Sequence, residues 1–128
     1  MSSMQFRLNL CFKPYVRMTQ KGKWVKPHAQ AYLSSQHEIA HALKTAMAEN
    51  GWTTIPRGEP LSAVMRIRHN HGFNNRDLDN EIKAILDAAQ GVVFEDDRWI
   101  DGIGVTRKRA NECSVSLLIM TIPEEEDT

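Results

Sequence analysis

Apolar and polar side chains alternate at the beginning of the chain, where the apolar positions are Met4, Phe6, Leu8, Leu10 and Phe12. This period of two predicts a half-buried β-strand. The same alternation over residues 61–68 predicts a second strand with a basic outer edge. Residues 100–109 predict a third strand that ends in three cations, and residues 114–122 predict a largely buried fourth strand.

Two other segments carry apolar residues at helical spacing. In residues 30–49 the apolar face is Tyr32, Ile39, Leu43 and Met47, and Asn50-Gly51 is a typical left-handed stop. The second helix is predicted to begin at Asp77, and its apolar positions are Leu78, Ile82, Ile85, Leu86 and Ala89. The resulting order β-α-β-α-β-β predicts an α/β (α+β) sandwich, with a mixed sheet and two main helices.

A chain of 128 residues with 41% hydrophobic content is expected to form one domain, here residues 1–123. Residues 124–128 are predicted to be an acidic, disordered tail. No apolar run approaches the roughly 20 residues that cross a bilayer, and no signal-peptide pattern is present, so a soluble, cytoplasmic protein is expected. Cys11 and Cys113 form no CxxC pair and are predicted to be buried reduced thiols rather than a disulfide or a zinc site.

The formal net charge is zero, but the charges are unevenly distributed. The first 37 residues hold six cations and no acid, whereas residues 124–127 are all acidic. Without that tail, the body has sixteen cations against twelve acids, so its working surface can be basic. The tail is expected to keep the protein soluble, or alternatively to cover the basic face as a nucleic-acid mimic.

Residues 13–28 interleave cations with Tyr15 and Trp24, a composition suited to phosphates and unstacked bases. The alternative is an ordinary surface hairpin whose rings pack on the core. Arg76 stands directly before the first acid of the second helix, where it can grip a phosphate. The predicted DNA-binding residues are therefore Lys13, Arg17, Lys21, Lys23, Lys26 and Arg76.

Acidic residues are concentrated around the second helix, in Asp77 and Asp79 and then in Glu95-Asp96-Asp97. Gathered carboxylates repel one another unless a cation lies among them, and Mg²⁺ is the usual occupant of an all-oxygen site in nucleic-acid chemistry. Asp77 and Asp79 can converge only at the helix start, and the later bend is expected to return a third carboxylate beside them. The alternative is that Asp77 and Asp79 are helix-start acids, with Asp79 and Lys83 a solvated pair.

The segment Arg76-Asp77-Leu78-Asp79-Asn80, followed by Lys83, Leu86-Asp87-Ala88 and Asp96-Asp97, resembles the core signature of the RusA-type Holliday-junction resolvases of phages and prophages. The likeness extends to Lys13-Pro14 and to the order of elements. The resemblance implies a RusA-like fold and a Mg²⁺-dependent crossover junction endodeoxyribonuclease of DNA recombination and repair. A homodimer would resolve four-way DNA junctions by paired symmetric nicks, and Mn²⁺ is a possible substitute for the metal.

Carried over residue by residue, the resemblance makes Asp77, Asp79 and Asp97 the metal-binding catalytic aspartates and Lys83 the essential lysine. The family's members are commonly basic, whereas this chain is neutral. A different class of function stays open, namely a non-catalytic DNA-binding or phage accessory protein that keeps the fold. A phosphatase of the DxD type is disfavoured because a polar loop, rather than an apolar strand, precedes the acids.

Overall fold

A computed structural model of the protein describes residues 3–15, 27–70 and 76–123, apart from the side chain of His28. Its elements are β1 (Ser3–Leu8), α1 (Pro27–Asn50), β2 (Leu61–His69), α2 (Leu78–Ala89), a 3₁₀ turn (Asp97–Trp99), β3 (Ile100–Arg109) and β4 (Ser114–Thr121). The predicted order of strands and helices is confirmed. No helix among these residues is both long and apolar enough to span a membrane.

The four strands form one mixed sheet in the order β1-β4-β2-β3. β4 is antiparallel to both β1 and β2, whereas β2 and β3 are parallel and pair from Leu61–Ile100 to His69–Arg109. Parallel neighbours require a crossover, and α2 supplies it. The start of α2 therefore lies at the end of the sheet where β2 and β3 finish, and the turn before β3 lies at the opposite end of the sheet.

The core lies between one face of the sheet and the two helices. Inward residues of the strands, such as Phe6, Met65 and Leu117, are buried in one cluster with Leu43 of α1 and Ile85 of α2. The period-two and helical patterns in the sequence therefore identified this face, except that Leu78, which was predicted to belong to the apolar stripe of α2, is 36% exposed. No described helix packs on the opposite face of the sheet, which we call the open face.

Two boundaries differ from the sequence prediction. β1 ends at Leu8, although Phe12 is still buried as part of the irregular segment that follows. α1 begins at Pro27, three residues earlier than predicted, because a proline suits the first turn of a helix, where its missing N–H is not needed. The predicted helix stop is confirmed, since Gly51 has a φ of 66°.

The prediction that the two cysteines are reduced thiols is wrong, because Cys11 and Cys113 form a disulfide. β1 and β4 pair with Leu8 opposite Val115, so the residues just beyond these paired ends come together. The two cysteine Cα atoms lie 5.0 Å apart, within the ordinary range for a disulfide. The two cysteines are 102 residues apart in the sequence, so their proximity could not be predicted from local patterns. It depends on the pairing of β1 with β4.

Candidate active site

Asp77 and Asp79 lie at the start of α2 with their carboxylates exposed. Asp77 is the N-cap residue, but its side chain makes no capping hydrogen bond; its backbone carbonyl accepts from the Glu81 N–H instead. One oxygen of Asp79 accepts a hydrogen bond from the neighbouring Asn80 N–H at 3.0 Å. Neither carboxylate has an ion-pair partner among the described residues, so the alternative pair of Asp79 with Lys83 is not formed.

Asp97 lies in the 3₁₀ turn directly before β3, and it is also exposed. Its backbone N–H donates to the side-chain oxygen of Gln90 at 3.0 Å, which fixes the turn to the end of α2. The neighbouring Asp96 caps the turn by accepting from the Arg98 N–H at 3.1 Å. Of these two acids, Asp97 is therefore the one whose carboxylate is not engaged within the described structure.

One chain does not bring the three aspartates together. The N-cap Asp77 and the C-cap Gln90, whose side chain holds Asp97, lie at opposite ends of the 12-residue helix α2. They are therefore separated by about 20 Å at a rise of about 1.5 Å per residue. Within residues 3–15, 27–70 and 76–123, no three His, Cys, Asp or Glu side chains are grouped so that they could hold a metal ion. The expectation that the later bend returns a carboxylate beside Asp77 is therefore not met inside one chain.

Lys83 lies one helical turn beyond Asp79, on the same stripe of α2. Its ammonium is 3.6 Å from the Asp87 carboxylate and 4.8 Å from the centre of the Tyr15 ring, and its side chain is half exposed. Tyr15 in turn meets Tyr32 edge to face. Burial first, and the Asp87 carboxylate second, raise the pKa of the Tyr32 phenol, which therefore stays neutral. The lysine is held by a carboxylate and a ring while it remains accessible to solvent.

The predicted DNA-binding segment is described only at its beginning. Lys13 is exposed, and its backbone N–H donates to the Ser35 hydroxyl at 2.8 Å. The Tyr15 N–H donates to the Asn80 carbonyl at 3.0 Å, so this segment is attached to the start of α2. Arg17, Lys21, Lys23, Lys26 and Trp24 lie outside the described residues. The Tyr15 ring packs within the protein, as the hairpin alternative expected.

A buried carboxylate that the sequence analysis did not single out lies beneath the start of α2. Glu81 is fully buried, with one oxygen 3.1 Å from Arg107 and 3.4 Å from Arg76, and the other 3.1 Å from His69. Arg107 also donates to the Arg76 carbonyl at 2.7 Å, and Arg76 donates to the Phe12 carbonyl. This Glu81 cluster joins β2, β3 and the segment after β1 to the first turn of α2.

The sequence did contain a signal for this cluster. Glu81 lies three residues after Leu78 and four before Ile85, so it is an acid inside the apolar stripe of the helix. An acid in that position must be paired, because an unpaired buried charge is very costly. Burial lowers the pKa of the Arg76 guanidinium, and the charge of Glu81 opposes that shift. Because Arg76 is engaged internally, a phosphate would have to compete with these contacts.

We expect Glu81→Gln to lower the free energy of unfolding by about 3 kcal/mol, because Arg76 and Arg107 would lose their shared buried counter-charge. Urea unfolding followed by circular dichroism measures this change. Glu95→Gln is the matched control, since the Arg57–Glu95 pair is largely exposed and should contribute less than about 1 kcal/mol. Equal losses in the two variants would contradict a stabilising role for the Glu81 cluster.

A model of one protein family, described as endodeoxyribonuclease RusA, matches residues 12–120 of the chain. The matched segment contains both ends of α2, with Asp77, Asp79, Lys83 and Asp97, and also the buried Glu81. It leaves out β1. No curated protein matches the chain.

Proposed function

We propose that this chain, which belongs to the RusA endodeoxyribonuclease family, is a Mg²⁺-dependent endonuclease. In this proposal it resolves four-way DNA junctions by paired symmetric hydrolysis of phosphodiester bonds. The observation that carries this proposal is that Asp77 and Asp79 at the start of α2, and Asp97 just beyond its end, are exposed and that none of the three is paired with a described cation. Unpaired acids are unfavourable on a surface that must attract DNA, unless they bind a cation that in turn binds phosphate.

The donor set fits a magnesium ion. Asp77, Asp79 and Asp97 offer carboxylate oxygens only, and these are the hard ligands that Mg²⁺ prefers. When bound, Mg²⁺ supplies a Lewis acid for a phosphoryl oxygen and lowers the pKa of a coordinated water. Mn²⁺ has similar ligand preferences and is expected to substitute.

The separation of the aspartates favours a site shared between two chains. In a homodimer with twofold symmetry, Asp97 of one chain can lie beside Asp77 and Asp79 of the other, and the symmetry then produces two identical sites. A four-way junction presents two equivalent strands, so two symmetry-related sites match a paired cut. The same arrangement explains why a single chain contains the acids without an assembled centre.

β3 is the element best placed to form this dimer. It is an edge strand of ten residues, longer than the other edge strand β1, and Ile103 within it is 50% exposed. A long unpaired edge invites pairing with another strand. Antiparallel pairing of two β3 strands would continue the sheet and place the Asp97 end of one chain beside the Asp77 end of its partner.

Lys83 and the Glu81 cluster take different parts in this proposal. The half-exposed Lys83 ammonium can neutralise charge that develops on the phosphorane or on the leaving oxygen, or it can orient the nucleophile. Glu81 touches no substrate in this scheme. It positions the first turn of α2, and with it Asp77 and Asp79, through its contacts with β2 and β3.

A cleavage assay with a synthetic four-way junction tests the proposal. Each strand is labelled in turn, and linear duplex is the control substrate. We expect nicks at symmetric positions on two opposite strands in Mg²⁺, no nicks in EDTA, and little cutting of the duplex. Junction binding without cleavage under every metal condition would favour the alternative, a non-catalytic DNA-binding or phage accessory protein.

We expect Lys83→Gln to reduce kcat by about a hundredfold or more, with little change in KM, because the ammonium acts on charge that appears only in the transition state. Single-turnover cleavage of the junction measures this effect. Lys44→Gln is the control, since Lys44 is an exposed cation on α1. A rise in KM of about a hundredfold, with kcat unchanged, would instead make Lys83 a binding residue.

A further inference from the structure

The open face of the sheet has a regular distribution of residue types. The strand register sets Arg7, Ser116, Arg66 and Thr106 in one row across the four strands, and Ser114, Arg68 and Lys108 in the next row. The two rows nearer the start of β2 contain instead the small, apolar or uncharged residues Gln5, Leu118, Val64, Gly104, Ser3, Met120, Ser62 and Gly102. All the cations of this face therefore lie in its half near the end of β2.

The four cations, which we call the basic rows, are Arg7, Arg66, Arg68 and Lys108. They make no ion pair with any described residue, and no acid occupies a paired outward position of the four strands. The one acid within these strands is the exposed Asp101, in the bulge at the start of β3, at the opposite end of the sheet from the basic rows. By contrast, Arg76 and Arg107 on the inner side share the buried Glu81. Four unpaired cations at neighbouring positions repel one another, and an anionic partner would relieve that repulsion.

The basic rows lie near the same end of the sheet as Asp77 and Asp79, where β2 and β3 finish. His69 ends β2 next to Arg68, and Arg107 contacts the backbone of Arg76 at the start of α2. A concavity of about 310 Å³ opens at this end of the face. Arg7 and Arg68 line it, together with the turn between β3 and β4. Among its described lining residues, Glu112 is the one acid. A long ligand at the aspartates can therefore continue over the sheet edge onto the basic rows.

The spacing of these cations suits a repeating anion. Arg66 and Arg68 are two residues apart on one strand, about 6.6 Å, and Arg7 lies two strands from Arg66, about 9.6 Å away. A second copy of this chain is disfavoured as the occupant, because the paired outward positions of this face are either cations or uncharged residues, so the same face of another chain offers these cations no anion at those positions. The chemistry instead fits the phosphates of a nucleic-acid backbone.

We infer that the basic rows of the open face bind the sugar-phosphate backbone of one arm of the DNA, opposite the face on which the helices pack. As an assignment to a junction arm, this inference rests on the proposed function. The contact carries no sequence information, because cations on phosphates position the duplex and base contacts specify it. It also supplies the positive surface that the neutral net charge of the whole chain conceals.

The test is the salt dependence of DNA binding, measured by fluorescence anisotropy in EDTA with labelled four-way junction and linear duplex. The variants are Arg66→Gln, the double variant Arg66→Gln/Arg68→Gln, and the control Lys44→Gln. For the double variant we expect about tenfold weaker binding and a slope of log K against log salt that is shallower by about two. Arg66→Gln should remove about half of that slope change, and Lys44→Gln should leave the slope unaltered.

An unaltered slope in a folded double variant overturns the inference, as does an equal loss in Lys44→Gln. A change of oligomeric state in the double variant, measured by light scattering, also overturns it, because the face would then be a contact between copies. The proposed function fails separately: a protein that binds DNA with the expected slopes but never cuts it leaves this surface assignment intact.

Discussion

Asp77→Asn is expected to abolish cleavage of a four-way junction, with a loss of about a thousandfold or more, while binding is retained or tightened. If Asp77 holds the metal as proposed, its loss would remove several kcal/mol of transition-state stabilisation, and each 1.4 kcal/mol is a factor of ten in rate. Binding should not suffer, because a negative charge is removed from a surface that faces phosphate. Single-turnover cleavage in Mg²⁺ and anisotropy binding in EDTA measure the two quantities.

The structure makes this a clean substitution. The Asp77 side chain is exposed and makes no capping hydrogen bond, and asparagine is as good an N-cap residue as aspartate. Unfolding in urea should therefore be unchanged. Glu49→Gln, an exposed acid on α1, is the control and should cut normally. Nicking by purified Asp77→Asn at the normal rate would end the assignment of this residue to the metal.

Mixing two inactive variants is expected to restore activity. If each site combines Asp77 and Asp79 of one chain with Asp97 of the other, then a heterodimer of Asp77→Asn and Asp97→Asn has one site with two substitutions and one intact site. Random association makes half of the dimers mixed, so about a quarter of the normal nicking should return. It should appear as single nicks rather than paired cuts. Co-refolding the two variants before the junction assay allows the chains to exchange.

A second mixture provides the control. Asp77→Asn with Asp79→Asn places both substitutions in the same half of the site, so every dimer has a defect in each of its sites, and no activity should return. The two mixtures differ only in which end of α2 carries the second change. No recovery in the first mixture, although the chains are shown to exchange, would contradict a site shared between chains and would require all three aspartates to act from one chain.

Local patterns predicted the elements of this fold well. The alternation over residues 61–68 identified the buried face of β2, and the apolar stripe of α2 identified most of its buried face, since each pattern depends only on the geometry of its own element. Contacts between distant elements could not be predicted in this way. The Cys11–Cys113 disulfide depends on the pairing of β1 with β4, and the position of Asp97 depends on α2 crossing the length of the sheet.

The candidate site shows the same division. Sequence resemblance makes Asp77, Asp79, Lys83 and Asp97 the candidate site residues, but a motif along the chain does not state which of its members meet within one molecule. The position of Glu81 within the apolar stripe of α2 does indicate a buried, paired acid, but it does not indicate which cations pair with it. Its partners, Arg76 and Arg107, come from segments 31 residues apart, and only the folded chain brings them together.

The crossover by α2 would limit when such an enzyme could cut DNA in a cell. If each site combines the acids of two chains, as proposed, a newly made chain on its own would lack a complete site, and the capacity to cut would arise only on assembly. Dilution would then act as an off switch, and the amount of protein, as well as the shape of the DNA, would decide when a strand is broken.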